Sequence, residues 1–321
     1  MRYLVLVLAL CGLSQAQTTK KWTLFNYGYQ TYGTAVNSGG QVTGTYVTTS
    51  GVGYGFIRNP DGTLVKKIVP ALALGINTAG EIVGDSVVGN AFLRMPNGAI
   101  KKWPGPGAGT MTANSVNDAG YLAGIQYGID NNQHQCMYVN DTNGVMVWNE
   151  CFTSDGAIVT VGSINNSNQV SGWWSGDGGE HGFVYDNGTL TQLDFPGAAN
   201  TRALAMNDSE EVVGSWIDAQ GATHGFIWSP KQGYQTYDVP KSTLTIFTAV
   251  NAAGAATGYY YDQNSACHGF TLANGKLTVL NVPKAAGTIP LAINLSGQVA
   301  GEYFLTNPNQ MKGFLYTPIT Q

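Results

Sequence analysis

Ala292–Gly301 reads Ala-Ile-Asn-Leu-Ser-Gly-Gln-Val-Ala-Gly, and its frame, an Asn followed seven residues later by a Gly, is written seven times. The copies are Asn37/Gly44, Asn77/Gly84, Asn117/Gly124, Asn165/Gly172, Asn207/Gly214, Asn251/Gly258 and Asn294/Gly301. The interval inside the frame is constant, while successive copies lie 40 to 48 residues apart. A period of this length marks a repeat architecture, in which each unit buries its apolar face against its neighbours.

Outward from the frame, each unit opens with a small-residue strand that ends in the Asn, such as Leu204-Ala205-Met206-Asn207. An Asn-x-x-Gly turn follows in five copies, with Asn168 and Glu210 in the Gly place of the other two. Asn caps such a turn by bonding its own backbone two residues on, and Gly accepts the positive φ. The second strand alternates around the frame Gly, as in Glu211-Val212-Val213-Gly214-Ser215-Trp216. Gly within a strand marks the close approach of another backbone, here expected from the neighbouring sheet. The third strand carries Phe56, Phe92, Met137, Phe183, Phe226, Phe270 and Phe314. Burying each of these contributes roughly 1.5–3 kcal/mol to a repeated core layer. Turns such as Asn59-Pro60-Asp61-Gly62 and Asp186-Asn187-Gly188 then lead to a fourth strand.

Four short strands in roughly 40–45 residues is the length of one propeller blade. The last unit, from Leu291, stops after its third strand, Lys312–Tyr316, and a lone strand-like segment, Trp22–Asn26, precedes the first frame. That segment matches the phase of Lys276–Asn281, a fourth strand. The sequence therefore predicts an all-β fold, a seven-bladed β-propeller with four antiparallel strands per blade. The N-terminal strand closes the last blade, and residues 17–321 form a single domain. A stacked β-solenoid is the alternative.

Residues 1–16 read as a signal peptide: Arg2, an apolar run Leu4–Leu13, and small residues at Ser14-Gln15-Ala16. Cys11 follows Leu10 rather than a small residue, which speaks against a lipid anchor. The expectation is an exported chain, secreted or periplasmic, monomeric, with no membrane insertion once the signal is removed. Only 11% of residues are charged and the net charge is −4, without a basic block. Phosphate backbones need clustered Lys and Arg, so nucleic acid is excluded as a partner class. The pairs Lys20-Lys21, Lys66-Lys67 and Lys101-Lys102 fit exposed edge strands, where Lys discourages pairing between sheets. Cys136 and Cys151 fall in one repeat and are a candidate disulfide worth about 3 kcal/mol, leaving Cys267 odd. No CxxC or His/Cys spacing and no phosphate-cradling loop is present, so the sequence calls for no metal and no cofactor.

The copies of Ile/Val/Met-Asn-x-x-Gly-x-Val-x-Gly, followed by His181-Gly182-Phe183, His224-Gly225-Phe226 and His268-Gly269-Phe270, resemble the bacterial extracellular repeats of the HAF family. Tyr54-Gly55-Phe56 and Lys312-Gly313-Phe314 are near matches; Asn90-Ala91-Phe92 and Gln135-Cys136-Met137 depart further. The resemblance covers nearly all of the mature chain. It implies a secreted repeat protein and transfers no catalytic residue.

Each of the three His follows an acid: Asp177 before His181, Asp218 before His224, Asp262 before His268. A ring spreads equivalent positions around a circle, so these read as hydrogen-bonding struts within blades rather than one metal centre. His134 lies off the pattern. Function is sought where the repeats disagree, at the end of the second strand. An aromatic two residues past the Gly recurs as Tyr46, Trp174, Trp216, Tyr260 and Tyr303, whereas Trp173 and Tyr259, one residue past it, face the other way. The loops after the second and fourth strands open on one face. The candidate binding residues there are Trp173, Trp174, Trp216, Tyr259 and Tyr261, with Phe304 nearby and Arg202 at the channel mouth. Aromatic bodies beside polar groups suit sugar rings. The leading expectation is a non-catalytic protein that binds an extracellular glycan, other polymer or protein. A polysaccharide hydrolase or lyase would use two carboxylates among Asp177, Glu180, Asp194, Asp218, Asp262 and Glu302, and a scaffolding ring is the third reading.

Overall fold

The computed structural model describes residues 22–319, except 67, 69–70, 87, 106–108, 129–133, 153–156, 177 and 307–309. The signal segment 1–16 with Cys11, the residues Lys20, Lys21 and Lys67, and Asp177 lie outside the described residues. Regular structure among the described residues is entirely strand, and the architecture is that of a β-propeller.

The Asn207 unit shows the pattern. Asn200–Met206, Val212–Ile217, Thr223–Ser229 and Gly233–Tyr237 pair antiparallel in chain order. The units of Asn37, Asn77 and Asn117 each form a separate four-stranded sheet. The other strands join in one sheet of sixteen, a layout that uniform separate blades do not predict. The joins are single parallel pairs, Glu180↔Asn200, Thr223↔Leu244 and Cys267↔Gly287. They arise where a third strand begins beside the start of the next unit's first strand. At the ends, Trp22–Phe25 pairs antiparallel with Lys312–Tyr316, from Trp22↔Tyr316 to Phe25↔Gly313, as the orphan segment predicted.

The frame Asn does more than cap a turn. Its Oδ1 accepts the N–H four residues on in every copy, from Gln41 to Gln298. Its Nδ2 donates to the main-chain carbonyl of the next frame Asn, at 2.8–3.4 Å. The series runs Asn37, Asn77, Asn117, Asn165, Asn207, Asn251, Asn294 and back to Asn37, so these buried amides form a closed ring. In the turns, Asn168 and Glu210 adopt φ of 63° and 60°, the conformation Gly holds in the other copies.

Two expectations are corrected. The backbone that crowds the frame Gly is that of its own unit: a Cβ at Gly44, Gly84 or Gly124 would stand 1.8 Å from the carbonyl oxygen of Tyr32, Leu72 or Thr112. The register of each first strand shifts next to that contact, as between Ala73 and Gly75. The neighbouring unit instead approaches the third-strand Gly, as Phe247 does at Gly225 and Pro290 at Gly269. Secondly, Met137 is buried as expected, but the residue opposite Gly124, in the place of the Phe, is Tyr138. Tyr138 is fully buried like the Phe of the other units, and its hydroxyl donates to the Thr112 carbonyl at 2.8 Å.

That shift of one residue puts Cys136 in the place that His takes elsewhere. Cys136 and Cys151 are cross-strand partners and are joined as a disulfide. The bridge occupies the site where other units hold His181–Asp194 (2.9 Å), His224–Asp238 (2.8 Å) and His268–Asn281 (3.0 Å). Third and fourth strands are thus tied at one level, by a covalent bond in one unit and by hydrogen bonds in three. Lys66, Lys101 and Lys102 are exposed on outermost strands, Leu64–Lys66 and Ile100–Trp103.

Candidate binding site at one channel mouth

The two ends of the ring differ in what their polar groups are doing. The end formed by the Asn turns encloses a cavity of about 280 Å³. Its side chains are committed to the ring: Asp118, Asn166 and Asp208 accept the backbone N–H of Thr78, Asp118 and Asn166 in turn. The channel wall is similarly occupied, since Thr34 and Thr248 hydroxyls donate to the carbonyls of Ala73 and Pro290 in the next units.

At the opposite end, the start of each first strand is paired with the residue one past the frame Gly. The pairs are Tyr32↔Thr45, Leu72↔Asp85, Thr112↔Ile125, Thr160↔Trp173, Arg202↔Ser215, Ile246↔Tyr259 and Ile289↔Glu302. Directly opposed side chains share a face of the sheet. Nothing in the ring requires one chemistry there, and the repeats diverge.

Four of the predicted residues come together at this mouth. Arg202 Nε and Nη2 donate to the two carboxylate oxygens of Glu180, at 2.6 and 2.5 Å. The Trp173 ring lies 4.8 Å from Arg202 Cζ. This bidentate pairing holds the guanidinium plane, and the indole face gains a cation–π contact. Donating to the Glu180 carboxylate raises the Arg202 pKa further, against the effect of burial. Tyr259 lies within electrostatic reach of Arg202 and 6.2 Å, edge to face, from Tyr261. A pocket of about 200 Å³ beside them is lined by Glu180, Asn200, Arg202, Ser215, Leu244 and Ile246.

Trp174 and Trp216 belong elsewhere. Each is cross-strand from a His and lies against it, Trp174 tilted on His181 at 4.6 Å and Trp216 stacked on His224 at 4.5 Å. Their other contacts are rings from the preceding unit, Phe152 at 5.7 Å and Phe195 at 4.1 Å. Alternation along the strand puts them on the face opposite Trp173, packed between units. Phe304 packs over Gly287.

The carboxylates divide in the same way. Asp218 and Asp262 accept turn N–H groups and bond His224 and His268. Asp194 bonds His181, and Glu180 holds Arg202. Glu302 remains: burial pushes its carboxyl up to about 7. Among the described residues, no group of three or more His, Cys, Asp or Glu side chains is arranged to hold a metal ion. No helix is long and apolar enough to cross a membrane there either.

No protein-family model matches the chain, and no curated protein matches its sequence. Solved structures do. The β-propeller domain of the Trilobed protease from Pyrococcus furiosus aligns with a TM-score of 0.61 at 9% identity, covering 92% of this chain and 96% of that one. The Pyrococcus horikoshii acylaminoacyl peptidase gives 0.60 at 10% identity, over 87% of this chain. The present chain spans about half of it, 51%. TolB from Acinetobacter baumannii gives 0.50 at 10% identity, covering 88% and 81%. At such identities the likeness establishes the fold, and the fold is a β-propeller.

Proposed function

We propose that this chain is an exported, monomeric, seven-bladed propeller of the HAF-like repeat type that binds an extracellular polymer, a glycan first of all. The binding surface is the mouth formed by Trp173, Arg202, Tyr259 and Tyr261. The observation that carries this reading is the Glu180–Arg202–Trp173 stack: a guanidinium locked by two hydrogen bonds and laid beside an indole, at the rim of a pocket. Preorganised aromatic and hydrogen-bonding groups lower the ordering cost of binding a flexible polymer. Counting the seven frame repeats as seven blades is supported by the Asn cycle, which advances one unit at each bond.

The test is a screen of the chain from Gln17 against soluble polysaccharides, reading binding and reducing-end release in the same wells. The proposal expects binding without release. Release abolished by a single carboxylate substitution would replace it with a hydrolase, and silence against every polymer would shift the search to protein partners.

A further inference from the structure

If the mouth is a polymer-binding site, Glu302 bears on the chemical class of its ligand. Glu302 occupies the position that holds Trp173 and Tyr259 in two other units, opposite Ile289. Its side chain is half-buried, and its carboxyl has no hydrogen-bond or ion-pair partner among the described residues. The titratable groups that face it are Tyr32 from the neighbouring first strand, Tyr259 from the Asn251 unit, and the buried Cys267. All three are neutral acids near pH 7, with pKa values raised by burial. Lys312 is paired with Tyr303 and so lies on the other face of the sheet. Arg202, the cation acting on Tyr259, is already held by both oxygens of Glu180.

A carboxyl partly withdrawn from water without a counter-charge costs stability. The fold does not require it, because the other units carry Thr45, Asp85, Ile125, Trp173, Ser215 and Tyr259 at this position. What the arrangement lacks is a positive charge, and what flanks it is aromatic. Tyr ring faces attract organic cations, and an ammonium beside a half-buried, unpaired carboxylate gains an ion pair as well. We infer that the mouth takes an amine-bearing sugar polymer, with a ligand ammonium seated on Glu302 between Tyr32 and Tyr259 and neighbouring sugar rings running toward Trp173.

The experiment compares three glucosamine hexamers on the mature chain by titration calorimetry: free-amine, fully N-acetylated, and N-trimethylated, whose charge is fixed. The first and third are expected to bind about tenfold or more tighter than the second, and Glu302→Gln to erase that difference. A thermal melt of Glu302→Gln establishes that it is folded, and the three-ligand comparison on the unaltered chain stands without it. Equal affinity for all three would overturn the ammonium inference while leaving the mouth as a glycan site. Binding of other polysaccharides but none of these would do the same. Displacement of the free-amine hexamer by an oligolysine peptide at lower concentration would also count against an amino-sugar ligand. Failure of every polysaccharide would instead remove the reading on which the inference rests.

Discussion

Asn294 Nδ2 donates to the main-chain carbonyl of Asn37 at 2.9 Å, across 257 residues of sequence. The same bond links every other pair of successive units, so the two ends of the repeat array meet through the contact that joins its interior. Asn294→Ala removes a buried amide that also caps its own turn through the Gln298 N–H, and it leaves the Asn37 carbonyl with the Gly40 N–H as its remaining donor. The expected loss is about 2–4 kcal/mol by chemical denaturation. Asn251→Ala, which breaks the link to Asn294 rather than the closure, is expected to cost a similar amount. A loss below about 0.5 kcal/mol for both would mean that the ring of amides is not holding the units together.

Gly84→Ala tests the corrected account of the frame Gly. The added methyl meets the Leu72 carbonyl of the paired strand and the buried Phe92 ring, both of its own unit. Overpacking of this kind is expected to destabilise by about 3 kcal/mol. Gly188→Ala, in a turn with open space around it, is the comparison, and its cost comes from its φ of 91° alone. Equal effects would contradict the steric argument.

Reduction of Cys136–Cys151 removes a link across 15 residues, worth about 3 kcal/mol in the chain-entropy view. The non-reducing Cys136→Ser/Cys151→Ser variant is expected to lose stability to a similar degree while keeping its far-ultraviolet circular dichroism. The hydrogen-bonded struts at the same level in three other units are the reason for expecting a local effect. Global unfolding on reduction would show that the bridge carries the fold.

The half-buried Glu302 makes stability depend on pH. Its pKa is raised from 4.5 to about 7, so the folded chain binds this proton more tightly than the unfolded one. Its favourable contribution is therefore complete below about pH 4.5 and is lost as pH rises through 7. The loss at pH 8 is at most about 3 kcal/mol. Glu302→Gln keeps the shape without the titration, so it is expected to flatten the fall in stability between pH 5 and 8, measured by denaturant titration at each pH. An unchanged slope would mean that Glu302 is solvated.

The sequence's legibility followed from what repeated. The fixed Asn-to-Gly interval and the spare strand Trp22–Phe25 contained the propeller and its closure, because both are periodic or complementary in the chain itself. The Asn cycle was hidden, since a turn cap explains the same residue from local bonds alone. Cys136 and Tyr138 were misaligned by one position because their unit lacks the His-Gly-Phe triplet, and the pairing Gly124↔Tyr138 is visible only in the sheet register. Of the candidate site, strand alternation correctly separated Trp173 and Tyr259 from the packing aromatics, and Arg202 stood out among small residues. Trp174 and Trp216 share the chemistry of a binding face, and the same alternation places them between units. The partner of Arg202 came from a third strand of the preceding unit, which no spacing announces.

The most direct test sets Trp173→Ala against Trp216→Ala. Binding of the polymer identified by screening is measured by calorimetry, alongside thermal melts. Trp173 lies on Arg202 at the mouth, so its loss is expected to abolish binding and leave the melting temperature within a few degrees. Trp216 is stacked on Phe195 and His224, so its loss is expected to cost about 3–5 kcal/mol of stability. At temperatures where that variant is folded, its affinity is expected to match the original chain. Binding that survives Trp173→Ala unchanged, in a chain that still melts cooperatively, would contradict the placement of the site at this mouth.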